Sequence, residues 1–123
     1  MFAVRGEQYL SSSAQFAAVY RHGRAWRSDL VVMRVLPNGR DFSRYGFSVS
    51  RRVGKAVTRN RIKRQLREIL RRVILKPGWD IVIIARPPVA EVGYHKMEKD
   101  ISELLQQAGI AVQKYEEICP GID

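Results

Sequence analysis

Cysteine occurs once in the 123 residues, at Cys119, which excludes an internal disulfide. No cationic start is followed by an apolar run of signal-peptide length. The longest apolar stretches, such as VILKPGWDIVIIA, are broken by charge, Pro or Gly before they reach the length of a membrane span. These gaps point to a cytoplasmic protein. Acids are scarce: 12 Asp and Glu stand against 22 Lys and Arg, with only two histidines. A metal-dependent hydrolase needs carboxylates or histidines that converge on its ions, and here the acids are scattered singly. His95 and Glu98, three residues apart, can share one helical face, but a single pair is a weak ligand set. No catalytic residue and no metal site is therefore expected in the chain itself.

What is abundant is positive charge. A formal net charge of +10 directs attention to nucleic acid or an anionic membrane surface rather than a neutral metabolite. The apolar fraction, 46%, is enough for the modest core of one domain, with a compact part from about residue 9 to 109 and short tails at both ends. Charge is concentrated. Residues 51 to 76 contain Arg51, Arg52, Lys55, Arg59, Arg61, Lys63, Arg64, Arg67, Arg71, Arg72 and Lys76, half of the 22 cations, against Glu68 alone. A merely solvated helix mixes signs so that residues four apart attract; here only Glu68, with Arg64 and Arg72 four residues to either side, does so.

Within that segment, TRNRIKRQLREILRR and the Val73 that follows it place Ile62, Leu66, Ile69, Leu70 and Val73 on one helical stripe, while Arg59, Lys63, Arg67 and Arg71 follow a neighbouring line. One side faces a core and the other an anionic partner. A membrane surface fits poorly, because an interfacial helix needs its apolar stripe free for lipid and the strands need that same stripe to complete a core.

The remaining chain alternates helix and strand without repeats. SSSAQFAAVYRHG reads as a short helix capped by Ser12 or Ser13, with Phe16, Val19 and Tyr20 on one face and Gly23 at its end. DLVVMRVL (29–36) and YGFSVS (45–50) read as strands, and Asn38-Gly39 between them predicts an antiparallel hairpin. In the second strand Tyr45, Phe47 and Val49 point one way and Gly46, Ser48 and Ser50 the other. Thr58 is the expected N-cap of the basic helix, which should run to about Leu75, ahead of Lys76-Pro77-Gly78. WDIVIIAR reads as a central buried strand ended by Pro87-Pro88. A last helix from about Tyr94 to Ala108 buries Met97, Ile101, Leu104 and Leu105 and stops at Gly109.

YGFSVSRRVGKAVTRNRIKRQLRE, with QFAAVYRHGR before it and PGWDIVIIAR after it, resembles the protein subunit of bacterial ribonuclease P over roughly residues 9 to 109. The resemblance implies an α+β fold, a two-layer α/β sandwich in the order α-β-β-β-α-β-α, with a short extra strand near Arg24 to Arg27. It also implies a left-handed crossover around the basic helix, against the right-handed rule that holds for about 98% of such units. It further implies an RNA-binding protein that assists a catalytic RNA in removing the 5′ leader of precursor transfer RNA, the magnesium belonging to that RNA and no cofactor to the protein. The implied partners are the catalytic RNA subunit and precursor transfer RNA, with no membrane and no obligate protein partner. A ribosomal-type or chaperone-like binder of structured RNA is the alternative.

Carried over residue by residue, the resemblance places an RNA-binding basic motif at Arg59, Asn60, Arg61, Lys63, Arg64 and Arg67, preceded by connector residues Arg51, Arg52 and Lys55. Arg offers a planar fork to phosphate oxygens, Lys a compact charge, and Asn60 sits near a helix start where backbone N–H groups favour anions. Gly54 lets the backbone turn or approach closely ahead of the helix. The resemblance puts the leader in a cleft between the first helix and the sheet, lined by Phe16, Tyr20 and Ser48, although core packing is the competing reading for the two rings. Two departures stand out. Met33 replaces an aromatic residue common in relatives, which puts stacking there in question, and RGEQYLSSS is less basic than usual.

Overall fold

The computed structural model describes residues 9–111. Its elements are α1 (Ser13–His22), β1 (Arg24–Arg27), β2 (Val31–Pro37), β3 (Arg44–Ser48), α2 (Ala56–Arg72), β4 (Trp79–Ala85), a 3-10 turn (Pro87–Glu91) and α3 (Tyr94–Gln107). The expected tails, including the first residues of RGEQYLSSS, lie outside the described residues. The α+β order is the expected one, and the short extra strand is β1.

One sheet carries the strands in the order β1-β2-β4-β3. β2 runs antiparallel to β1 and β4, and β3 joins β4 in parallel. The expected hairpin of residues 29–36 with 45–50 is therefore not formed: β4 lies between β2 and β3. WDIVIIA is apolar on both faces, and only a central position covers both faces and both edges of such a strand. Gly39 does turn the chain, with φ of 71°, but the link is tied to β4 instead of to its own second arm. Asn38 N–H donates to Gly78 O at 2.9 Å and Asn38 Nδ2 to Asp80 Oδ1 at 2.9 Å. Arg44 then donates through Nε and Nη2 to the two Asp80 oxygens at 2.8 and 2.7 Å.

Alternation along the strands sorts the two faces. Val31, Met33, Val35, Tyr45, Ile81 and Ile83 meet the stripes of α2 (Ile62, Leu66, Ile69, Leu70) and α3 (Met97, Ile101, Leu104, Leu105), and all are buried. On the reverse face Leu36, Val82 and Ile84 lie with Leu10, Phe16 and Val19 in a smaller cluster. Burying one aliphatic side chain contributes about 1.5–3 kcal/mol, so Val19, fully buried, pins α1 to the sheet.

The helix ends follow from local chemistry. Ser12 caps α1 in a capping box with Gln15. At the other end a Cβ on Gly23 would run into the carbonyl oxygens of Val19 and Val35, so only glycine allows the turn into β1. Arg34 on β2 donates to the carbonyls of Tyr20 (2.8 Å) and Gly23 (3.2 Å), joining the helix end to the sheet. α2 starts earlier than expected: its N-cap is Lys55, with no side-chain cap bond, and not Thr58. The Thr58 side chain instead packs where a Cβ on Gly54 would lie, 3.0 Å from both its Cβ and Cγ2. α2 also stops earlier, at Arg72 rather than Leu75. Leu75 bridges Ala111 and Lys76 N–H donates to Ile110 O at 2.7 Å, which draws the chain off the helix axis. α3 is closed by Gly109, φ 76°, as expected.

Candidate nucleic-acid interface

The segment between β3 and α2 is built from successive tight turns. Val53 N–H donates to Ser50 O, Gly54 N–H to Arg51 O and Arg52 N–H to Ser50 Oγ. Val49 and Val53 are buried. With those two side chains anchored inside, Arg51, Arg52 and Lys55 stay exposed. In α2 the buried stripe fixes the rest: Asn60, Arg61, Arg64 and Arg67 are exposed, while Arg59 and Lys63 are half-buried. Long cationic side chains at such borders lay their stems on apolar surface, and in Arg59 the burial reaches the guanidinium Nε.

Little of this charge is neutralised within the protein. Glu68 accepts from Arg71 at 2.6 Å and from Arg72 at 3.0 Å; Arg64, expected as a partner, makes no ion pair. Arg61 Nη2 donates to Ala90 O at 3.2 Å, which ties it to the 3-10 turn. Among the described residues, Arg51, Arg52, Lys55, Arg59, Lys63, Arg64 and Arg67 form no salt bridge. No acid occupies the first turn of α2. Like charges four residues apart cost a helix about 0.2–0.5 kcal/mol per pair, so the row carries a repulsion that an external anion would relieve.

The reverse face of the sheet holds the expected cleft residues. A Cβ at Gly46 would fall on Cζ and Cε1 of Phe16, so the Phe16 ring is seated directly on the β3 backbone. Tyr20, one turn later, is 40% exposed. Ser48, two residues after Gly46, points to the same face and is half-buried. Register continues that line across the sheet: Ser48 pairs with Ile84, Ile84 with Val32, and Val32 with Arg27. None of these four is fully buried, so the row is a partly open floor beside α1. Met33 belongs to the other face and is fully buried among the α2 and α3 side chains. An aromatic ring at that position would enlarge the core without reaching the α1 side.

His95 Nδ1 stands 4.0 Å from Glu98 Oε1, and the imidazole is almost wholly exposed. Among the described residues no three His, Cys, Asp or Glu side chains gather to hold a metal ion. Burial raises the Tyr94 phenol above its ordinary pKa, opposed by the Arg72 charge at the far end of α2. No helix of the described residues is long and apolar enough to cross a membrane.

Three residues that shape this surface were not evident from the sequence. Arg34, one of many arginines, ties α1 to the sheet. Gly46 is the seat of a ring, and Asp80, 5% exposed, is the buried partner of Arg44. Only Asp80 left a signal, as the lone charge in an otherwise apolar strand.

The chain matches the model of the family described as Ribonuclease P over residues 4–109. It belongs to the ribonuclease P protein family. It is 46% identical over 101 residues to the ribonuclease P protein component of Dehalococcoides mccartyi (strain CBDB1), covering 82% of this chain and 84% of that protein. Against the ribonuclease P protein component of Roseiflexus castenholzii the identity is 41% over 104 residues, covering 82% and 85%. The structure of the RNase P protein from Thermotoga maritima aligns with a TM-score of 0.75 at 32% identity, covering 80% of this chain and 96% of that one. Membership makes the protein the RNA-binding subunit of a ribonucleoprotein endoribonuclease of transfer RNA processing, with an RNA subunit as its partner.

Proposed function

We propose that the protein holds RNA through Arg51, Arg52, Lys55, Arg59, Asn60, Arg61, Lys63, Arg64 and Arg67, and receives the 5′ leader of precursor transfer RNA beside Phe16, Tyr20 and Ser48. The observation that carries this reading is the run of unpaired cations from the connector into α2, next to the open floor at Ser48. The catalytic RNA performs the hydrolysis, with magnesium ions of its own, and the protein contributes no catalytic group and no bound cofactor. A role at a lipid surface is disfavoured because the apolar stripe of α2 is already used up by the sheet and α3.

Reconstitution tests the reading. Added to its cognate catalytic RNA, the protein lowers the magnesium concentration needed for cleavage of precursor transfer RNA, and without that RNA it is inert. Metal-dependent cleavage by RNA-free protein, abolished by His95→Ala or Glu98→Ala, would overturn it. Binding to both RNAs without any effect on cleavage would favour a general binder of structured RNA.

A further inference from the structure

A second group of cations lies on the opposite side of the sheet from the connector. β1 is the edge strand farthest from β3, and three of its four residues, Arg24, Ala25 and Arg27, are exposed. Arg21 and His22, exposed in the last turn of α1, lead directly into it. From residue 21 to 35 the only acid is Asp29. Among the described residues Arg21, Arg24 and Arg27 make no salt bridge. Arg86, from the end of β4, donates to Ser28 O at 3.0 Å and steadies the turn that follows β1.

One of these cations has an ordinary explanation. Arg21 complements the negative end of the α1 dipole. Charge on a short edge strand also discourages edge-to-edge pairing with another chain. Neither explains Arg24, whose guanidinium lies over the Trp26 ring, 5.7 Å from its centroid, while the indole packs against the main core. Discouraging edge pairing needs only a mobile charge. Here the guanidinium rests against an anchored ring, a contact that favours one placement and so reduces the freedom lost when its N–H groups meet a phosphate. Successive side chains of a strand alternate, so Arg24 and Arg27 project from opposite faces of the same edge.

We propose that this β1 edge, led by Arg24 and Arg27, is a second RNA-contact surface that grips the sugar–phosphate backbone of the catalytic RNA. The inference rests on the reading of the protein as an RNA-binding subunit. An exposed strand edge with cations projecting to either side suits the repeating charges of a sugar–phosphate backbone. The connector and the β1 edge flank the sheet, and two separated anchors fix the protein's orientation on a large RNA where one patch leaves it free to pivot.

The test is Arg24→Gln/Arg27→Gln, compared with Arg59→Ala/Lys63→Ala/Arg67→Ala in binding to the cognate catalytic RNA across a salt series. With two cations no longer neutralising phosphates, the slope of log K against log salt should flatten by about 1.4–1.8, since each neutralised phosphate accounts for about 0.7–0.9. Kd should rise roughly tenfold, and the effect should add to that of the α2 variant, because distant sites act independently. Arg24→Lys, which keeps the charge without the stacked plane, should retain the slope but not the full affinity. Wild-type slope and Kd in the β1 variant, with the melting temperature preserved and the α2 variant impaired, would overturn the β1 surface alone. Wild-type binding by both variants would overturn the RNA-binding reading of the basic motif together with it. An effect confined to precursor transfer RNA would refute the assignment to the catalytic RNA.

Discussion

The ring of Phe16 occupies the place where a side chain at Gly46 would begin. The small face of β3 is therefore a fitted seat for a residue of α1, and the two positions act as one unit. Gly46→Ala should destabilise the protein by about 1–3 kcal/mol, the usual cost of inserting a methyl group into a packed site. Combined with Phe16→Leu, which withdraws the ring, the penalty should shrink. Urea denaturation of the two single variants and the double variant measures the coupling, and strict additivity would show that the ring does not depend on this seat.

Tyr20 and Phe16 should respond differently to the same substitution. Tyr20→Leu alters a ring that is 40% exposed and should leave the melting temperature nearly unchanged. If the ring stacks on a leader base, binding should weaken by about 1–3 kcal/mol. The loss should appear with precursor transfer RNA and vanish with mature transfer RNA, which has no leader. Phe16→Leu should reduce leader binding and also some stability. A Tyr20→Leu protein that discriminates leaders normally would remove that ring from the cleft.

Neutralising the basic helix should change the salt dependence as well as the affinity. Arg59→Ala/Lys63→Ala/Arg67→Ala should weaken RNA binding by about 1–3 kcal/mol in total, given roughly 1 kcal/mol or less for each exposed phosphate interaction. The dependence on salt should flatten because fewer counterions are released. Filter binding across a salt series decides between this and a merely solvated face, for which both quantities would stay at their wild-type values.

Asp80 should matter to folding and not to RNA. It accepts two bonds from Arg44 and one from Asn38 where only 5% of it is exposed. Asp80→Ala leaves the Arg44 charge buried without its partner, a change that typically costs about 3–5 kcal/mol. Chemical denaturation should show the destabilisation, while RNA affinity of the folded fraction should be unaffected.

The sequence made the helices and the basic motif legible because their signals are local. Ile62, Leu66, Ile69 and Leu70 recur at helical spacing, and the cations between them have nowhere to go but outward. Strand partnership was not legible. Asn38-Gly39 is a sound turn signal, yet whether β3 folds back on β2 or passes over to the far side of β4 depends on contacts distant in sequence, such as the burial of β4 between them and the Arg44–Asp80 pair, 36 residues apart. The cap at Lys55 was hidden for a related reason. Thr58 has the chemistry of an N-cap, but its side chain packs against Gly54. Phe16 looked equally suited to core and cleft because its ring is half-buried, one side on the glycine and the other open.

The central place of β4 has a consequence for the newly made chain. β1, β2, β3 and the whole basic helix leave the ribosome before Trp79 does, and β2 and β3 are joined only through β4, which lies between them. Pairings this distant in sequence form late, because the chain between them must first be closed into a loop. For that interval the nascent protein displays a cationic helix with an uncovered apolar stripe, in a compartment crowded with RNA. The basic helix thus reaches its final place only after β4, synthesised after it, has completed the sheet on which its apolar stripe packs.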